Sequence, residues 1–153
     1  MILLRFFFFN IMLTWKFVGV SKASVLYVYI DEWAKEVLGN AESLTEERVD
    51  EVLNEYLKDF KEVSLETKGW PRYSSAYIIS KAAMNAYTRI VANKFPSFRV
   101  NCLCPSYVKT DINYNNGYLT TDEGAESVVK LALLPNDGPS GLFFFWNEVT
   151  TFD

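Results

Sequence analysis

The segment "FRVNCLCP", Phe98 to Pro105, constrains the fold more than any other stretch of the chain. It is short, apolar at most positions and ended by a proline, with Pro96 just before it. A run of this kind is too short for a helix. It reads as a strand covered on both faces, the type that parallel sheets use. Parallel strands need crossover connections, and these are usually helices. The flanking sequence supplies them. Upstream, Ser75 to Asn93 is helical in character, carries small residues at Ser80, Ala82, Ala83 and Ala86, and is ended by Pro96. Downstream, "TTDEGAESVVKLAL" opens with threonine and acidic residues that suit a helix N-terminus. "NDGPSG" then reads as a turn and "LFFFW" as a last strand. The order helix, strand, helix, strand predicts an α/β fold with a parallel sheet.

Before this core the chain divides at about residue 30. Residues 1–30 form an atypical apolar N-terminal segment. "MILLRFFFFNIMLTW" is interrupted by Arg5, Asn10 and Lys16, which leaves it short of the roughly 20 apolar residues of a membrane span. It also lacks a clean small-residue cleavage site. The expectation is a buried strand or a segment foreign to the fold, with no membrane partner. "KFVGVSKASVLYVYI", Lys16 to Ile30, is β-branched and aromatic enough for one or two strands. Residues 31–40 read as a short helix or loop. Ser43 and Glu46 have the spacing of a capping box, and Val49, Val52, Leu53, Tyr56, Leu57 and Phe60 then recur at helical steps. "SLETKGWPRYSS" breaks the pattern as a loop.

Composition excludes several functions. The net charge is −4, which does not favour the clustered basic face of a nucleic-acid binder. There is no histidine, so histidine triads, histidine bases and histidine metal sites are out of reach. No metal is expected. Cys102 and Cys104 alternate in the central strand, so their side chains point the same way, too close along one strand for an easy disulfide. They read as buried thiols of a reducing compartment, which gives a cytoplasmic expectation.

One pair carries chemistry. "SSAYIISKAAMNAYTR", Ser74 to Arg89, places Tyr77 and Lys81 four residues apart, hence on one helix face. A free phenol titrates near 10. An adjacent ammonium favours the phenolate and is expected to lower that value. A phenol tuned in this way can give a proton to a carbonyl oxygen as hydride reaches the carbon, or take one from an alcohol. The lysine can also reach ribose hydroxyls. Ligands of open α/β sheets bind beyond the carboxyl ends of the strands, which brings Pro105 to Asp111 into the same neighbourhood.

Together "SSAYIISKAAMNAYTR", "RVNCLCPSYVKTDI" and "SGLFFF" resemble the C-terminal half of a short-chain dehydrogenase/reductase. "DEWAKEVLGNAESLTEERVDEVLNEYLKDFKEVSLETKGWP" resembles the long insertion before the active-site tyrosine in one plant branch, the neomenthol dehydrogenase-like and salutaridine reductase-like enzymes. The resemblance covers about residues 31–153. It implies a partial Rossmann-type, doubly wound parallel sheet that lacks the N-terminal dinucleotide-binding half. It implies Tyr77 as catalytic acid/base, Lys81 as the residue that tunes it and holds the nicotinamide ribose, and Pro105, Val108 and Thr110 as cofactor-binding positions. Ser21, in "VGVSKAS", matches the first serine of the family's active-site strand end. The implied cofactor is NADP, the implied substrate a small apolar, terpenoid-like carbonyl or alcohol, and the implied partner surface a dimer formed through the Tyr77–Lys81 helix.

The departures are equally specific. The glycine-rich T-G-x-x-x-G-x-G turn and the N-N-A-G segment of the family have no counterpart here. Pro105 is followed by Ser106 where the family has glycine, and Lys22 stands where the family has a second serine. Two readings follow. One is an NADP-dependent oxidoreductase interconverting a carbonyl and an alcohol. The other is a truncated, catalytically inactive homologue that acts only through a partner, or a partial gene product.

Overall fold

The computed structural model describes residues 16–20, as backbone, and residues 30–152. The apolar head and Ser21 lie outside the described residues.

Helix α1 (Glu32–Gly39) starts at Asp31, whose Oδ1 accepts from the N–H groups of Trp33 and Ala34 at 3.0 and 3.4 Å. Helix α2 (Glu46–Lys61) starts at Thr45, whose hydroxyl accepts from the Arg48 N–H at 3.3 Å. The cap expected at Ser43 is thus displaced by two residues. Asn40 is the cause: its Oδ1 accepts from the N–H groups of Glu42 and Ser43, at 3.1 and 3.3 Å, and holds Ser43 in the preceding turn. Helix α3 (Ser75–Lys94) and strand β2 (Arg99–Cys104) fall where the sequence places them. Helix α4 (Thr121–Ala132) opens with a capping box between Thr120 and Glu123. The chain continues into β3 (Phe143–Phe145) and β4 (Glu148–Thr150), while β1 (Lys16–Val20) precedes the helices.

The four strands form one sheet in the order β1-β2-β3-β4. The first three run parallel, with Val20 opposite Leu103 and Cys104 opposite Phe145. β4 turns back antiparallel on β3, a strand that the sequence reading did not separate from "LFFFW". β2 is covered on both faces, as the apolar run required. Leu103 packs with Leu131, Ala132 and Phe144 on the α4 side. Cys102 and Cys104 face the other way, with Phe143, and Thr88 of α3 bonds the Cys102 thiol. Both cysteines are buried free thiols, and burial pushes Cys102 up to about 12. Helices on opposite faces of a parallel core make the sheet doubly wound.

The larger core lies between α3 and the pair α1 and α2. Ile78, Ile79, Ala82, Ala83 and Ala86 of α3 pack against Ala34, Leu38, Val49, Val52 and Tyr56. α1 and α2 of the same chain thus fill the small-residue face of α3. Arg89 fastens α1 from the side of α3, donating to the carbonyls of Leu38 and Gly39 at its last turn and lying 4.6 Å from the centre of the Phe152 ring.

Trp70 closes this core. It is buried, meets the Tyr56 ring edge-on at 5.4 Å, and donates its indole N–H to Asp59 Oδ2 at 2.8 Å. Asp59 is only 1% exposed, so its carboxylate depends on that donor and on the Ser64 hydroxyl. Trp70→Phe keeps an aromatic ring but removes the donor and leaves the space of the indole's second ring unfilled. It is expected to lower stability by at least about 1–3 kcal/mol, the cost of stranding a buried acceptor, with the lost packing added to it. The urea midpoint of the variant checks this; an unchanged midpoint would show the hydrogen bond to be dispensable.

Candidate active site

Tyr77 lies in the first turn of α3 and Lys81 one turn further on. The Lys81 ammonium sits over the Tyr77 ring, 5.7 Å from its centre. Ser80 fixes the local backbone by donating its hydroxyl to the Tyr77 carbonyl at 2.8 Å. The ring is 42% exposed, so the phenol is open to a ligand on one side and packed on the other. The electrostatics differ from the sequence expectation. Burial, and then the neighbouring Cys104, hold the Tyr77 phenol above its ordinary value, while burial holds the Lys81 ammonium below its own. The ammonium lies over the ring, and burial sets the direction of both shifts. At neutral pH the phenol therefore keeps its proton.

Cys104, the last residue of β2, lies near enough to Tyr77 to act on its phenol. Pro105 follows at once, half-buried, and Ser106 then takes a left-handed backbone at φ 69. Glycine occupies that conformation without penalty; a serine pays for its Cβ. From there the chain folds back on itself. The N–H groups of Tyr118 and Leu119 donate to the Tyr107 carbonyl at 2.8 and 3.2 Å, and Lys109 N–H donates to the Leu119 carbonyl at 2.8 Å. Gly117 makes this approach feasible, because a Cβ there would stand 2.5 Å from Lys109 N.

Val108 and Thr110 are locked by a residue that the sequence reading did not single out. Asn113 Oδ1 accepts from the Thr110 N–H at 3.0 Å, and its Nδ2 donates to the Val108 carbonyl at 2.8 Å. Gly124 of α4 supports the same spot, since a Cβ there would come within 2.5 Å of Val108 Cγ2. The signal for both was present only as an asparagine in a polar loop and a glycine inside a helical pattern. Tyr77 and Lys81 thus neighbour each other on α3, with Cys104 of β2 near Tyr77, and Pro105–Thr110 continues the chain from the end of that strand. Ser21 lies outside the described residues.

A family model described as enoyl-(acyl carrier protein) reductase matches residues 62–139, half of the chain. The chain belongs to the short-chain dehydrogenase/reductase family. It is 61% identical over 132 residues to (+)-neomenthol dehydrogenase of Capsicum annuum, covering 86% of this chain and 42% of that one. The solved structure of salutaridine reductase from Papaver somniferum superposes with a TM-score of 0.80 at 54% identity, covering 85% of this chain and 44% of that one. A more distant relative, carbonyl reductase [NADPH] 3 of Rattus norvegicus, is 38% identical over 102 residues. The chain spans less than half the length of the relatives it matches. Its α/β fold is that of short-chain dehydrogenase/reductase Rossmann structures over that part. Among the described residues no helix is long and apolar enough to cross a membrane.

Ser106→Gly tests the strained position. The change relieves a left-handed side chain worth about 1–2 kcal/mol and costs about 0.5–1 kcal/mol in backbone entropy. The expected outcome is a gain of about 0.5–1 kcal/mol in unfolding free energy. A loss of stability would mean that the Ser106 side chain holds the turn.

Proposed function

We propose that this chain carries the proton-transfer and ribose-binding part of an NADP-dependent oxidoreductase that interconverts a carbonyl and an alcohol on a small apolar, terpenoid-like substrate. The observation that carries the reading is a protonated, half-exposed phenol stacked beneath an ammonium at the carboxyl end of a parallel strand. The names of the relatives, a neomenthol dehydrogenase, a salutaridine reductase and an NADPH carbonyl reductase, support the same chemistry.

When bound, the nicotinamide cofactor supplies or receives the hydride. The residues of this chain handle the proton. In reduction, the Tyr77 hydroxyl donates to the carbonyl oxygen as negative charge develops there. Its raised value keeps it in the acid form until that moment. The phenolate left behind meets the Lys81 ammonium in a poorly solvated setting, where their attraction is stronger than in water. In oxidation the same pair runs in reverse. Lys81 would hold the ribose hydroxyls, and Pro105, Val108 and Thr110 would hold the nicotinamide side, with Asn113 fixing the latter two. Ser21 is the serine of the proposed catalytic set. A cytoplasmic setting suits the two free thiols.

These residues fit the ribose and nicotinamide end of the cofactor. The pyrophosphate end calls for a helix N-terminus behind a glycine-rich turn, and these 153 residues contain no T-G-x-x-x-G-x-G. That observation favours a second reading, in which the chain is silent by itself and acts only with a partner that supplies the turn.

Binding of NADPH to the purified chain separates the two. Micromolar affinity supports the enzyme, and Lys81→Ala should then weaken both binding and turnover. Tyr77→Phe should lower turnover by about 10²–10⁴-fold with the fold unchanged. A folded chain that binds no NADPH supports the second reading, and activity that survives Tyr77→Phe removes the tyrosine from its role.

A further inference from the structure

The start of α3 is held from outside the helix. Ser74, its N-cap, sits in the left-handed region at φ 52, ψ 28, and makes no side-chain cap bond. A serine N-cap normally bonds a first-turn N–H and steadies the helix, and Ser74 forgoes this. A strained backbone of this kind persists only where its surroundings over-determine it. Here the surroundings are specific. The Tyr56 hydroxyl lies 2.9 Å from Ser75 Oγ, on the first residue of α3. Tyr56 is itself buried, with its ring against Trp70 and 6.2 Å from Phe60. Trp70 in turn is pinned by its hydrogen bond to Asp59. A contact chain Asp59, Trp70, Tyr56, Ser75 therefore runs from the end of α2 to a point two residues before Tyr77.

We propose that Tyr56 is a positioning residue: its hydroxyl, hydrogen-bonded to the Ser75 side chain, braces the first turn of α3 that Ser74 leaves uncapped, and so sets where Tyr77 stands relative to Lys81 and the end of β2. The inference rests on the reading of Tyr77 as the proton donor. The first backbone bond of the helix, Ile78 N–H to the Ser74 carbonyl at 2.9 Å, spans Tyr77 and closes on the strained residue. Without the tie at Ser75, Ser74 relaxes toward ordinary backbone, that bond opens, and the Tyr77 ring loses the packing on its buried side. The insertion before the tyrosine then has a catalytic purpose as well as a structural one, since Tyr56 and Trp70 both belong to it.

Two variants test this on the full chain. Tyr56→Phe keeps the ring against Trp70, and Ser75→Ala removes the other partner. In each, the amides of Ile78 to Lys81 are expected to exchange with solvent about five- to tenfold faster, as the loss of one net hydrogen bond gives. The double variant should exchange no faster than either single one, because both remove the same bond. Amides of Tyr87 to Asn93 and of α2 should keep their rates. The Tyr77 phenol, read as the ultraviolet titration difference between each background and the same background with Tyr77→Phe, should move down toward the free phenol value as its burial is relieved. Unchanged exchange at Ile78 to Lys81 overturns the proposal. So does faster exchange spread evenly along α2 and α3 with the Tyr77 titration unmoved, which marks Tyr56 as packing alone. Neither readout needs turnover. Local opening with a shifted Tyr77 titration, in a chain whose activity ignores Tyr77→Phe, would keep the positioning and discard the acid assignment.

Discussion

A carboxylate with almost no exposure to water must be satisfied by the protein, and Asp59 is satisfied chiefly by Trp70. Much else hangs on that bond. It returns the loop after α2 to the helix it left, and it seats Trp70 between α2 and α3. It also orients Tyr56, whose ring on the indole and hydroxyl on Ser75 carry the constraint to α3. α1 is then secured at its far end by Arg89. The insertion is thus joined to α3 by polar links set in an apolar interface. Links of this kind add little net energy but select one arrangement, because any slip strands a buried group.

The sequence made the core legible because its signals were long-range in pattern and local in cause. "FRVNCLCP" had to be covered on both faces, and α3 and α4 cover it. The same-side placement of Cys102 and Cys104 followed from strand alternation alone. Less was legible where short polar side chains compete for backbone. Ser43 and Thr45 are both good caps, and only the capture of the Ser43 N–H by Asn40 decides between them. β4 was missed because its turn, Trp146 and Asn147, carries no glycine; Trp146 takes the positive φ itself, at 57°, with its N–H on the Cys104 carbonyl at 2.8 Å.

At the site, spacing found Tyr77 and Lys81 but not their balance. Spacing reports that two groups are neighbours; it does not report which way the ammonium points or how far the two groups are buried. With Lys81 over the ring face, burial governs and the phenol stays an acid. Resemblance pointed to Val108 and Thr110 but not to what holds them. Asn113, Gly117 and Gly124 act through close approach, which depends on the folded path of the loop and leaves no periodic trace in sequence. The serine at position 106 was visible as a departure, and its backbone strain is the physical form that departure takes.

The sheet register has a consequence for the order in which the molecule assembles. Cys102 meets Phe143 across about forty residues of chain, and β3 meets β4 through a tight turn, whereas Lys16 meets Arg99 across roughly eighty. Closing the longer loop costs about 0.6 kcal/mol more for each doubling of length. It also waits on the whole α1–α2 insertion, which lies within that loop. The stretch from α3 through β4 therefore collects its partners from nearby and forms a template early, against which β1 docks late. In kinetic terms the seam between β1 and β2 is, among the described strands, a joint made last and opened first.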